Sequence, residues 1–128
     1  MTTPHDDLFA EIDALSEDDA EQVFWFHKWD DGNPHCDVCN SPRWYSISRR
    51  MVYTCADCRH QYTARSRTVF ASSKLSYRQL LRAMSLADEP NLTRKRVREA
   101  LGVSESGASP LLARIRLVRA TGTIRLPK

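Results

Sequence analysis

Cys36-Asp37-Val38-Cys39 and Cys55-Ala56-Asp57-Cys58 contain the chain's four cysteines, as two Cys-x-x-Cys pairs with fifteen residues between them. Each pair can form a tight knuckle that aims two sulfurs at one ion. Four converging thiolates complete the closed tetrahedral shell of a structural Zn²⁺, and the spacing lies within the pattern read as a zinc site. Disulfides would need an oxidising compartment, and Met1 to Asp7 shows no apolar signal segment. A thioredoxin-like redox site needs one such pair opening a helix, not two matched pairs in loops. A catalytic zinc is disfavoured because four cysteines leave no position open for water or substrate. His35 and His60 flank the knuckles. They are substitute ligands or ordinary loop histidines, and the full cysteine shell favours the second.

The elements that must bring the knuckles together are short. Arg43-Trp44-Tyr45-Ser46-Ile47-Ser48 and Met51-Val52-Tyr53-Thr54 are rich in strand formers, with Arg49-Arg50 between them as a hairpin tip. His60 to Ala64 reads as a third strand. Three such strands make a zinc ribbon, a fold with almost no core that is held mainly by its metal. Arg43, Arg49, Arg50, Arg59, Arg65 and Arg67 alternate along it with Trp44, Tyr45 and Tyr53. That mixture suits nucleic-acid contact, or the aromatics are simply the ribbon's minimal core. Both readings stay open at this level.

A length of 128 residues is about one domain's worth, and 41% hydrophobic content is ordinary for a globular chain without a membrane span. The net charge of +3 hides an asymmetry. Residues 1–31 carry ten Asp/Glu against Lys28 alone, a net −9, whereas residues 32–128 carry eighteen Lys/Arg against six Asp/Glu, a net +12. A basic body with an acidic leader points to a polyanion partner; two solvated surfaces are the plainer account.

In the leader, Leu8, Ile12 and Leu15, then Ala20, Val23, Phe24 and His27, follow helical spacing, and Ser16 followed by Glu17, Asp18 and Asp19 reads as a helix start. Trp25, Phe26 and Trp29 add more apolar surface than one helix hides, so they pack on the ribbon or meet a partner. The leader's charge could hold it against the basic body; packing of Val23, Phe24 and Trp29 on the ribbon would fix it elsewhere. After the ribbon, Ser76-Tyr77-Arg78-Gln79 matches a capping box, followed by the apolar face Leu80, Leu81, Met84 and Ala87. Thr93 caps a helix from Arg94 to Leu101 with Arg94, Lys95, Arg96 and Arg98 largely outward, and Gly102 ends it. Ser104 or Ser109 opens the last helix. The first choice puts Pro110 inside the helix and the second puts it at the tolerated first position. We expect a weak or kinked first turn, then a firm helix with Leu111, Leu112, Ile115 and Val118 inward, ended by Gly122. Residues 123–126 add a short strand or an untethered tail. Helix, tight Gly-containing turn and helix make a helix-turn-helix, which places its second helix in the DNA major groove, or a plain helical hairpin. The basic helix before the turn favours DNA.

Residues 8–120 resemble the front part of bacterial insertion-sequence transposases that begin with a zinc ribbon. The resemblance rests on Trp29 and Gly32 before the first knuckle, the four cysteines, Tyr53 and Tyr62, Thr68-Val69-Phe70 with Lys74-Leu75, Leu101-Gly102-Val103-Ser104, and the Ala108 to Ile115 spacing. Three departures stand out. Arg67 and Asn40 occupy positions where the family usually has Gly, and Gly107 with Pro110 weakens the recognition helix. The family's catalytic domain, which holds Mg²⁺ on carboxylates of an RNase-H-like fold, would begin after the last residue here, so we expect no enzyme activity.

These readings give a small α+β chain: N-terminal helices, a three-stranded zinc ribbon, and a three-helix helix-turn-helix unit. The expected divisions are an acidic helical leader at 1–31, the ribbon at 32–70 and the DNA-binding unit at 71–128. One structural Zn²⁺ sits on Cys36, Cys39, Cys55 and Cys58. The expected function is sequence-specific binding of double-stranded DNA by a transposase-derived regulator or non-catalytic transposase fragment, in the bacterial cytoplasm at the nucleoid. Phosphates fall to Arg94, Lys95, Arg96, Arg98, Arg114 and Arg116, and bases to Ser106 and Ser109. The rival reading is a protein-interaction adaptor that grips a polymerase or full-length transposase, or forms a homodimer, through the acidic aromatic leader.

Overall fold

The computed structural model describes residues 4–29, 32–46, 52–71 and 73–125. Helix α1 runs Pro4–Asp13 and helix α2 Glu17–Lys28. Ser16 separates them: its hydroxyl accepts the Asp19 amide at 3.1 Å, and Glu17, Asp18 and Asp19 fill the first turn, where the helix dipole favours negative charge. The spacing predicts Leu8, Val23 and His27 inward, but the structure exposes all three and buries Phe9, Glu21 and Lys28 instead. Hydropathy ranks Glu and Lys as outward residues. Here their polar ends find partners on the ribbon, and those partners set the rotation of α2.

The sheet is β1 (Trp44–Ser46), β2 (Tyr53–Cys55) and β3 (Gln61–Tyr62), antiparallel in that order. Trp44 pairs with Cys55, and Tyr53 pairs with both Ser46 and Tyr62. The expected extension of the hairpin through Ile47 and Ser48 to Met51, with its Arg49-Arg50 tip, lies outside the described residues, as do Asp30-Asp31, Ser72 and Leu126.

Helices α3 (Tyr77–Leu86), α4 (Arg94–Leu101) and α5 (Glu105–Thr121) follow. The Ser76/Gln79 capping box forms in both directions. The three helices close over Leu80, Leu86, Val97, Leu101, Ala108 and Ile115, all buried. From α3, Gln79 Nε2 donates to the Leu101 carbonyl at 2.9 Å and Arg82 Nη1 to the Ala100 carbonyl at 2.7 Å. These bonds satisfy carbonyls that α4 leaves unpaired at its end, and so anchor the turn that follows.

That turn depends on Gly102, whose φ of 67° lies in the left-handed region. A methyl group there meets nothing within 4 Å, so strain is purely backbone. Gly102→Ala should therefore lower stability by about 1 kcal/mol, read as a parallel shift of the urea midpoint with an unchanged slope.

Helix α5 starts directly after Ser104, whose hydroxyl accepts the Gly107 amide at 3.2 Å. Pro110 therefore stands inside the helix, the costlier of the two starts weighed above. Its missing N–H leaves the Ser106 carbonyl without a helical donor, and the exposure of Ser106 lets water take that place. Past Gly122, the chain returns to the ribbon side rather than trailing off. The Val69 amide donates to the Ile124 carbonyl at 2.9 Å, Thr68 bridges Arg125, and Ile124 is buried. A second tie runs through α1 and α2. Phe24 meets Tyr77 edge-on at 5.5 Å, the Tyr77 amide donates to the Glu17 carboxylate, and Arg82 pairs with Asp13 while lying over the Phe9 ring at 4.7 Å.

Candidate functional site

Both knuckles are built alike. In the first, the Asn40 amide donates to the Cys36 carbonyl at 3.0 Å and the Cys36 amide to Ser41; in the second, the Arg59 amide donates to the Cys55 carbonyl at 2.9 Å and the Cys55 amide to His60. The residue after each second cysteine turns left-handed, with φ of 63° at Asn40 and 64° at Arg59. Asn tolerates that region better than most L-residues. The β1–β2–β3 register then sets the knuckles face to face.

All four Sγ atoms lie within 4.8 Å of one another. Cys36 Sγ is 3.4 Å from Cys58 Sγ, and Cys39 Sγ is 3.5 Å from Cys55 Sγ. These separations are far beyond a bonded S–S and near the roughly 3.8 Å edge of a tetrahedron with Zn–S bonds of about 2.3 Å. Backbone amides aim at the sulfurs: Val38 at Cys36, and Asp57 and Cys58 at Cys55, each at 3.4 Å. The Cys58 amide, against burial and with help from that of Asp57, pulls the Cys55 thiol down to about 6. The donor set thus fits one structural Zn²⁺, with no place left for His35 or His60.

The shell around the knuckles was not legible as a site in the residue pattern. Lys28 is 2% exposed and donates to the Thr63 carbonyl at 2.8 Å and to Asp37, inside the first knuckle, at 3.0 Å. Its ammonium also sits 4.4 Å from the Trp29 ring centroid. Burial lowers its pKa, and the Asp37 carboxylate works against that. Glu21, also buried, accepts from Trp25 Nε1 at 2.8 Å and from the Tyr53 hydroxyl; burial raises its pKa. On the second knuckle Asp57 takes Arg43 Nη1 at 2.7 Å and the Ser41 hydroxyl. The one available signal was a Lys and a Glu on α2 placed close to Trp25 and Trp29 in the sequence.

The aromatics divide. Tyr53 is buried and meets Trp25, Trp29, Trp44 and Tyr62 at 4.9–6.4 Å between centroids, so it is ribbon core. Tyr45 is 47% exposed. Among the arginines, Arg65 is structural: it lies over the Tyr77 ring at 4.6 Å and donates to the Ser73 carbonyl. Arg59 and Arg67 are exposed.

On α4, Arg94, Lys95 and Arg98 are exposed, and Lys95 stands 4.0 Å from Glu99. Arg96 is held back, with Nε 3.1 Å from Glu89 and its guanidinium over Phe9 at 5.7 Å. On α5, Ser106 and Ser109 are exposed, Arg114 is half-buried, and Arg116 reaches the Leu92 carbonyl at 3.4 Å. No helix among the described residues is long and apolar enough to cross a membrane.

Residues 15–61 match the family described as the transposase zinc-ribbon domain. No curated protein and no solved structure matches the chain. The matched stretch takes in α2, all four cysteines and the sheet through Gln61. Its start ahead of α2 accords with the Trp29–Tyr53 and Lys28–Asp37 contacts that weld this helix to the ribbon. Residues 15–61 are thus similar to a transposase zinc-ribbon domain, and Cys36, Cys39, Cys55 and Cys58 within them fit one structural Zn²⁺.

Proposed function

We propose that the chain binds double-stranded DNA sequence-specifically, as a transposase-derived regulator or a non-catalytic portion of a transposase working at the nucleoid. In this reading residues 32–70 hold the metal and residues 71–128 work as a helix-turn-helix, with α4 across the phosphate backbone and α5 in the major groove. The observation that carries it is the turn at Gly102. It joins a helix whose Arg94, Lys95 and Arg98 are exposed to a capped helix that exposes Ser106 and Ser109 in its first turns. Exposed cations supply sequence-independent attraction, and short polar side chains at the helix start approach base edges. Arg116 and Arg114 extend the phosphate contacts along α5. Arg96 is the weakest member of the set, since it must leave Glu89 before it reaches a phosphate.

The rival protein-adaptor reading loses two of its aromatic anchors. Trp29 is buried against Tyr53 and Tyr62, and Trp25 is half-buried against Trp44 and Tyr53. Phe26, at 64% exposure, is the observation that still favours a partner.

Substitutions separate the roles. Arg98→Ala should weaken binding to selected and scrambled duplexes alike and lower the salt slope by about one. Ser109→Ala should leave the slope unchanged and shift preference between sequences. Arg96→Ala should act chiefly on stability. Loss of specificity in Arg98→Ala with none in Ser109→Ala or Arg114→Ala would place the reading helix elsewhere.

A further inference from the structure

Below the first knuckle lies a notch of about 70 Å³ whose lining includes Lys28, Trp29, Asp37, Val38, Arg67 and Arg125. Several waters would fit, since one needs roughly 10–15 Å³; so would one tetrahedral oxyanion. The floor is the buried Lys28–Asp37 pair, whose charges cancel. Arg67 and Arg125 are different. Both are exposed, and among the described residues neither guanidinium has a hydrogen-bond or ion-pair partner. They are brought together from distant parts of the chain by the Thr68–Arg125 bridge, and both stand close enough to Lys28 for their charges to act on it.

Beside a Lys28–Asp37 pair that is neutral overall, Arg67 and Arg125 leave the notch with a net positive charge, and each costs Coulomb energy against the Lys28 ammonium. Arg67 adds to that cost, because its φ of 57° lies in the left-handed region, which disfavours any side chain with a Cβ. A guanidinium presents a planar fork of donors that matches phosphate oxygens, and an oxyanion between two of them would relieve their repulsion. We propose that Arg67 and Arg125, above Lys28, form a phosphate-binding notch that takes a backbone phosphate of the bound DNA. The proposal rests on the DNA-binding reading above and adds a contact on the ribbon side. Because Arg125 lies only four residues past Thr121, the last residue of α5, a phosphate held there would also fix the register of α5 on the duplex, as backbone contacts do.

The test uses the full zinc-loaded chain and Arg67→Gly/Arg125→Gln. Glycine suits the left-handed backbone, so the variant should fold; unchanged zinc content and a thermal midpoint no lower than the parent's would establish that. Binding to a mixed-sequence duplex is measured across salt, and inorganic phosphate is titrated separately while the Val38 and Asp37 amide resonances are followed. The expected result is a salt slope lower by about 1.8 in the variant, from two lost phosphate contacts at about 0.9 each. An unchanged slope, with inorganic phosphate shifting those amides in the parent and not in the variant, would keep the phosphate notch and remove the DNA contact. An unchanged slope with no shift in the parent would overturn the proposal. So would a fall in zinc affinity with DNA binding intact, since the arginines would then be balancing the thiolate charge. If the parent binds no duplex at all, the DNA reading fails, and the phosphate titration still decides the notch.

Discussion

Stripping zinc from the reduced protein should unfold the ribbon while leaving α3–α5 helical. Strands of three, three and two residues cannot sustain a core alone. A structural zinc contributes about 10–16 kcal/mol to such a fold, comparable to or greater than the whole stability of a typical domain at about 5–15 kcal/mol. Helices α3–α5 keep their own core of Leu80, Leu86, Val97 and Ile115. Chelation should therefore red-shift the emission of Trp25 and Trp29, which pack on Tyr53, and remove most of the strand signal. Cys55→Ser should do the same and reduce bound zinc from one equivalent to well below half. Full zinc content with unchanged emission in Cys55→Ser would refute the four-sulfur site.

Lys28→Met should cost about 3–5 kcal/mol, because it leaves the Asp37 carboxylate with 5% side-chain exposure and without its cation. Asp37 belongs to the first knuckle and also accepts from the Ser66 hydroxyl, so the damage should reach the metal site as weaker zinc retention. The paired variant Lys28→Met/Asp37→Leu should recover much of the loss, since replacing a buried ion pair by apolar groups is often neutral. Thermal unfolding of the two variants and the parent gives the comparison. Equal destabilisation in single and paired variants would mean that packing of the lysine stem, and not its charge, holds α2 to the ribbon.

The metal site was readable because zinc dictates residue type and spacing, and both are written in sequence. Ser16, Ser76, Thr93, Gly102 and Gly122 were readable for a similar reason, since caps are local chemistry. The inward face of α2 was not. Glu21 and Lys28 are buried by partners that lie 32 and 35 residues away along the chain, Tyr53 and Thr63, and no periodicity within α2 carries that information. The return of Ile124 and Arg125 to Thr68 and Val69 escaped for the same reason. The leader's charge hinted at contact with the basic body. Asp13 and Glu17 do pair with Arg82 and Arg78 of α3, but burial of Phe9, Ile12 and Phe24 fixes the leader's position.

Selection of bound fragments from a random duplex pool by the zinc-loaded chain tests sequence-specific DNA binding most directly. The account predicts enrichment of one motif by the parent and a shift in that motif with Ser109→Ala, whose side chain lies on the exposed face of α5. A pool that stays unenriched through successive rounds, at salt low enough to retain duplex, would contradict it.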